Sequence, residues 1–191
     1  MAKGKTGWIV AGVIALVLIL SGYSFVKTGY NHFITLDETV KNAWSQVENQ
    51  LQRRYDLIPN LVETVKGYAK QERDVFIEVT TARSKVGGAG SVSDKISANN
   101  ELTSALSRLL LVVERYPDLK SNQNFMHLQD ELAGTENRIA VERKRYNDAV
   151  RTYNIAVKSF PANILAGVFN FAPATFFEAP DVTKATPQVK F

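Results

Sequence analysis

Apolar residues follow two different spacings along this chain. From Trp8 to Val26, WIVAGVIALVLILSGYSFV, they run with no charge between them. From Leu36 onward they fall at steps of mostly three and four: Leu36, Val40, Ala43 or Trp44, Val47, Leu51, Tyr55, Ile58, Val62, Val65, Ala69, Phe76 and Val79. That is the seam of an amphipathic helix. Lys41, Gln46, Asn49, Gln52, Lys66, Lys70 and Arg73 lie away from it. The spacing predicts one helix over 32–86, about 80 Å long if unbroken, which suits a coiled-coil-like rod. GGAGS, Gly87 to Ser91, ends it with residues that favour turns. Ser93 is placed to cap a second helix over 94–115, with Ile96, Leu102, Ala105, Leu106, Leu109, Val112 and Val113 as its apolar face. Pro117 breaks that helix. A third helix is predicted over 122–160, with a seam of Phe125, Leu128, Leu132, Thr135, Ile139, Tyr146, Val150, Tyr153, Val157 and Phe160, ending before Pro161.

Helices joined by short connections pack as antiparallel neighbours. The pattern therefore predicts an all-α chain: an elongated antiparallel up-and-down helical bundle with a very long first helix, preceded by one transmembrane helix. A bend at Pro59 would let the first helix count as two, because the middle helix covers only part of it. The remaining seam then needs the third helix, the tail or a second copy. The divisions are a basic tail over 1–6, an anchor over 7–27, the bundle over 30–161 and a C-terminal tail over 162–191. That tail is first apolar, then rich in Pro, Ala and Thr, which reads as extended or disordered. Phe176 and Phe177 are too apolar for a free tail and are expected to dock.

The run from Trp8 to Val26 would span about 28 Å as a helix, close to the roughly 30 Å of a bilayer core. Trp8 and Tyr23 sit near its ends, where interfacial aromatics belong. A cleaved signal peptide is the competing reading. The run is long for one, and no Ala-x-Ala site follows. Lys3, Lys5 and the amino terminus outweigh Lys27, which favours a cytoplasmic N-terminus and an extracytoplasmic bundle, with Lys41 eroding the margin. The expected location is the bacterial inner membrane, single-pass, with only a loop around 27–31 between anchor and rod.

Composition mainly removes chemistry. The 191 residues hold no cysteine, which excludes disulfides, thiol catalysis and Cys-based zinc sites. The net charge of +4 is spread out and gives no nucleic-acid patch. A di-iron bundle site needs Glu-x-x-His pairs. The two histidines, His32 and His127, are preceded at that spacing by Gly29 and Asn124. No Gly-x-Ser-x-Gly, Ser-x-x-Lys or Walker sequence is present. No cofactor, metal or catalytic residue is expected. In RIAVERKRYNDAVR, Glu142 and Asp148 interleave with the basic residues, which reads as a solvated helix face. Tyr146-Asn147 and Tyr153-Asn154 form a seven-residue echo on or beside the seam, read first as a packing register device.

The segment QLQRRYDLIPNLVETVKGYAKQE carries the densest polar cluster. On a helix, Tyr55, Ile58 and Val62 face the core while Asn49, Arg53, Asp56 and Asn60 form the opposite stripe. Arg53 is placed to pair with Asp56 and to reach Asn49. Pro59 removes one backbone bond and leaves the Tyr55 carbonyl in need of a donor, from Arg54 or another helix. Each residue has a structural use, and no nucleophile, base or ligand set remains.

At these residues the chain resembles the LemA family of bacterial membrane proteins. The resemblance rests on AWSQVENQLQRRYDLIPNLVETVKGYAKQE, on VVERYPDLKSNQNFMHLQDELAGTENRIAVERKRYNDAVRTYNIAVKSFP with Asn137 in its Thr-Glu-Asn-Arg-Ile-Ala string, and on the aromatic tail FNF…FFEA. It implies a membrane-anchored, elongated antiparallel helical bundle with no established reaction or cofactor. One branch is associated with magnetosome membrane formation, which implies membrane organisation.

The expected function is a non-enzymatic, membrane-anchored helical scaffold or interaction protein of the bacterial envelope. Its expected partners are the lipid bilayer, further copies of itself as a homo-oligomer, and an unidentified envelope protein. The alternative is a sensor or adaptor binding a ligand, peptide or lipid near the Pro59 bend, and an enzyme is a remote third. Interaction candidates are Trp44, Arg53, Arg54, Tyr55, Asp56, Pro59, Asn60, Asn137, Tyr146, Asn147, Tyr153, Asn154, Phe176 and Phe177.

Overall fold

A computed structural model describes residues 3–178, with side chains from Gly7 onward. The expectations resting on the Lys3 and Lys5 side chains and on the tail beyond 178 lie outside the described residues. Those residues form helices α1 (Lys3–Tyr68), α2 (Arg73–Gly88), α3 (Val92–Val113), α4 (Pro117–Lys120), α5 (Gln123–Lys158) and α6 (Ala162–Val168), with no strand among them. The chain divides into two compact units. One holds the chain up to Lys41 together with Ala149–Ala174, and the other Asn42–Asp148 with the segment from Thr175.

The unit beginning at Asn42 packs four long helical segments, one more than the apolar pattern alone predicts. The expected first helix breaks at 69–72, and its second half turns back as α2. Pro59, the expected bend, lies inside α1 without ending it. The cause of the break is packing. Val65 before it, Ala69 at its start, and Phe76 and Val79 after it are all buried in one core with Leu102, Leu109 and Val113. A straight helix would leave the second half of that seam in water, so folding back is favoured by burial. The turn is held from outside. Tyr116 donates to Glu72 Oε1 at 3.1 Å and accepts from Gln71 Nε2 at 2.8 Å, and Arg115 pairs with Glu72 at 3.0 Å.

Contacts fix the directions. Arg83 meets Tyr55, so α2 runs antiparallel to α1. Glu78–Arg108 and Lys85–Glu101 pair α2 antiparallel with α3. Arg53–Glu131 and Asn122–Tyr68 set α5 antiparallel to α1. The starts of α3 and α5 are capped by side chains. Ser91, rather than the expected Ser93, caps α3 in a capping box with Asp94, its Oγ accepting from the Asp94 N–H at 3.0 Å. Asn122 Oδ1 accepts from the Phe125 N–H at 3.1 Å at the start of α5.

In the other unit, α1 continues without the expected loop over 27–31. Here α6 lies on α1: a Cβ added at Gly29 would come within 2.7 Å of Leu165 Cδ1. A helical glycine costs about 1 kcal/mol relative to alanine, and here it gives α6 room for close approach. Tyr30 and Phe169 rings stack edge-on at 4.9 Å, and Phe33 meets Phe171 at 5.1 Å. Phe33, Tyr153, Val157, Leu165 and Ala166 are buried. Phe160 was expected on the α5 seam. It is instead 81% exposed, because α5 ends at Lys158 and the chain turns before Pro161.

Candidate functional site

Three residues of the seven-residue echo, Tyr146, Asn147 and Asn154, hydrogen-bond the backbone of the C-terminal segment. An extended segment carries backbone N–H and C=O groups that pair with no helix or sheet of its own. A primary amide offers one donor and one acceptor, so a single Asn can satisfy both groups of one residue. Asn147 does this for Phe177: its Nδ2 donates to the Phe177 carbonyl at 3.0 Å, and its Oδ1 accepts from the Phe177 N–H at 2.8 Å. Tyr146 donates its hydroxyl to the Thr175 carbonyl at 2.8 Å. Burial pushes the Tyr146 phenol above its ordinary value, which keeps it protonated as a donor.

Apolar contacts set the side-chain preference of this groove. Phe177 is 2% exposed, with its ring centroid 6.4 Å from Trp44 and the Arg143 guanidinium 5.8 Å above it. Trp44 packs edge-on against Tyr146 at 5.2 Å. Phe176, expected to dock, is 41% exposed: successive residues of an extended segment face opposite ways. Within the other unit, Asn154 repeats the amide clamp on Ala174, donating at 2.9 Å and accepting at 2.8 Å. Tyr153 is buried beside its asparagine.

The Arg53–Asn60 stretch of α1 sends contacts to three other helices, α2, α3 and α5. Arg53 was expected to pair with Asp56 on its own helix. Its Nη2 instead reaches Glu131 Oε2 on α5 at 2.6 Å, and Asp56 accepts from Gln52 at 2.9 Å. With α5 packed alongside, a carboxylate across the interface satisfies Arg53 and knits two helices. The Arg53 charge and hydrogen bond hold the Glu131 carboxyl below its ordinary value. Arg54 is buried, pairing with Glu136 at 2.8 Å and donating to Thr103 at 3.1 Å. Burial lowers its pKa while Glu136 opposes the shift. The Tyr55 carbonyl released by Pro59 receives Arg83 Nε from α2 at 3.2 Å, and the same guanidinium lies 3.8 Å above the Tyr55 ring. Asn60 and Asn137 have exposed side chains and join neither cluster.

Arg83, Thr103, Glu131, Glu136 and Arg143 stand out only once the helices are packed. Each is an ordinary polar residue on a helix face, and nothing in the spacing of the chain marks its partner. Among the described residues, no group of three or more His, Asp or Glu is placed to hold a metal ion. One helix among them is long and apolar enough to cross a membrane, through its N-terminal part.

The LemA family model matches residues 43–191, which take in Trp44, the Arg53–Asn60 stretch, the echo and the docked tail. The chain belongs to the LemA family. This family member is 31% identical over 208 residues to magnetosome protein MamQ 2 of Paramagnetospirillum magneticum, covering 92% of this chain and 76% of that protein. It is 28% identical to magnetosome protein MamQ of Magnetospirillum gryphiswaldense, covering 93% and 78%. It is 21% identical to protein LemA of Metamycoplasma hominis, covering 90% and 80%. The names of these relatives state no reaction.

Proposed function

We propose that this LemA-family chain is a membrane-anchored, non-enzymatic helical scaffold of the bacterial envelope that self-associates through its C-terminal segment. The observation that carries this reading is the Asn147 clamp on Phe177, with the ring against Trp44. Such a groove reads a backbone and one aromatic side chain, as grooves that take extended peptides do. The same segment of a second copy meets the same donors and acceptors, so exchange between copies keeps the contacts and links the chains. The exposed apolar run of α1 supports the anchor, and Lys3 and Lys5 before it favour the inner membrane with a cytoplasmic N-terminus. The naming of two relatives as magnetosome proteins supports a role at membranes.

The test is the mass of the full chain in detergent, by light scattering over a wide concentration range. The expected result is a concentration-dependent oligomer that Phe177→Ala reduces to monomer. A strictly monomeric wild-type particle overturns self-association.

A second reading is a sensor or adaptor that binds a small ligand near Pro59. It is favoured by a cleft of about 320 Å³ lined by Arg54, Leu106, Leu110, Leu132 and Glu136. That volume lies at the small end of ligand sites. This reading predicts that Leu110→Trp, which fills the cleft, abolishes function while thermal stability holds.

A further inference from the structure

α6 and the turn before it show an apolar stripe that no other described residue covers. Phe160, Ile164 and Val168 recur every four residues, and their exposures are 81%, 59% and 68%. The inward positions of the same helix are taken by Leu165 and Ala166, both buried. Ile164 and Val168 are therefore on the outer face of a helix docked by its inner one, with Phe160 in the turn before it. Water is a poor neighbour for three such side chains in a row.

The seat of α6 on α1 suggests what covers them. The charge-free run of α1 ends at Val26, and its side chains, from Trp8 to Phe25, are exposed. Gly29 and Tyr30, which receive Leu165 and Phe169, follow within four residues. On a helix that places the α6 contact about 4.5–6 Å beyond the end of the span. The headgroup layer on one side of a bilayer is about 5–7 Å thick. α6 thus meets α1 at the depth where apolar side chains of interfacial helices insert. Lys27 and Lys158 stand within two residues of Gly29 and Phe160 respectively. Both are exposed, and their ammonium groups suit lipid phosphates.

We propose that Phe160, Ile164 and Val168 form a second lipid contact, seated in the bilayer interface beside the point where α1 leaves it. This inference rests on the reading of α1 as a membrane anchor. The contact holds the start of the bundle against the membrane instead of leaving it on a single helix.

The absence of cysteine makes the test direct. Full-length Ile164→Cys, Val168→Cys, Ile14→Cys and Leu111→Cys variants, each carrying an environment-sensitive fluorophore, are reconstituted in phosphatidylcholine–phosphatidylglycerol vesicles with nitroxide-labelled lipids. All four positions are exposed, so labelling leaves the fold intact. The expected result is loss of emission at 164 and 168 with quenchers near the headgroup, at 14 with quenchers deep in the chains, and none at 111 on α3. Quenching at 14 but not at 164 or 168 overturns the second contact and leaves the anchor standing. A blue-shifted label at 164 that lipids do not quench also overturns it, and identifies a protein partner on the stripe. Equal quenching at 111 overturns it as non-specific. Quenching at none of the four overturns the anchor and the second contact together.

Discussion

Asn147 and Phe177 are joined by two hydrogen bonds in opposite senses, at 3.0 and 2.8 Å, so one side-chain amide stands in for a strand partner. Each such bond contributes about 1 kcal/mol net, and an orphaned buried group costs about 1–3 kcal/mol. Asn147→Ala is expected to free the tail with only a modest fall in melting temperature, because the bundle core is untouched. Asn147→Asp keeps the acceptor but points a second oxygen at the Phe177 carbonyl, so it should free the tail as well. In a Trp8→Phe background, Trp44 is the remaining tryptophan and sits 6.4 Å from the Phe177 ring. Its emission should shift to the red in both variants, and proteolysis near Phe177 should quicken. An unchanged emission spectrum in Asn147→Ala would sink the clamp.

Pro59 and Arg83 are coupled through the Tyr55 carbonyl. The proline lacks the N–H that would close the helical bond to Tyr55, and Arg83 Nε occupies that acceptor at 3.2 Å. Arg83→Leu is expected to cost about 2 kcal/mol, from the orphaned carbonyl and the lost cation–π contact with Tyr55. In a Pro59→Ala background the helix supplies its own donor, so the same substitution should cost at least about 0.5 kcal/mol less. Urea unfolding of the four variants gives this double-mutant cycle. Strict additivity would show that Arg83 acts through packing alone.

The seams were legible because burial at steps of three and four is a local property of the chain. Val40, Trp44, Val47, Ile58, Val62 and Val65 are buried where the spacing puts them. The turn at 69–72 was not legible, since YAKQE contains neither Gly nor Pro and its conformation is held by Tyr116 and Arg115 from another segment. The same holds at the site. The echo of Tyr-Asn pairs is visible in the sequence, but the partner of each Asn is a backbone, which leaves no side-chain signature. Arg53 shows the limit from the other side: Asp56 is at pairing distance in sequence, and Glu131, 78 residues away, takes the guanidinium.

Arg54 and Glu136 form a pair with unequal surroundings. The Arg54 side chain is 7% exposed and that of Glu136 is 50% exposed. Removing Glu136 lets water approach its place, so Glu136→Ala should cost about 1 kcal/mol, in the range of surface pairs. Arg54→Ala removes a buried stem as well as the bonds to Glu136 and Thr103, and should cost about 3 kcal/mol. Arg54→Met, which refills the stem, should recover most of that loss. Chemical denaturation checks the order. A Glu136→Ala cost equal to that of Arg54→Ala would mean the charge pair, rather than the packing, holds α1 to α5 here.

The pair of Arg53 and Glu131 makes a prediction in pH. Arg53 holds the Glu131 carboxyl below its ordinary value, chiefly by its hydrogen bond and then by its charge, with His127 and Arg138 adding smaller contributions in the same direction. The folded state therefore binds this proton less well than the unfolded state. The stability from the pair is fully present above the ordinary Glu value of about 4.3 and is lost as pH falls through the lower folded value. Glu131→Gln removes the titration, so wild type should melt above the variant at neutral pH. That gap should close only below about pH 4.3. Both side chains are partly exposed, so the gap should be small and should shrink in added salt. Melting curves of the two proteins, taken from pH 7 into acid at low and high salt, decide it. A gap that persists unchanged into strong acid would assign the effect of the substitution to packing and remove the ion pair from the account.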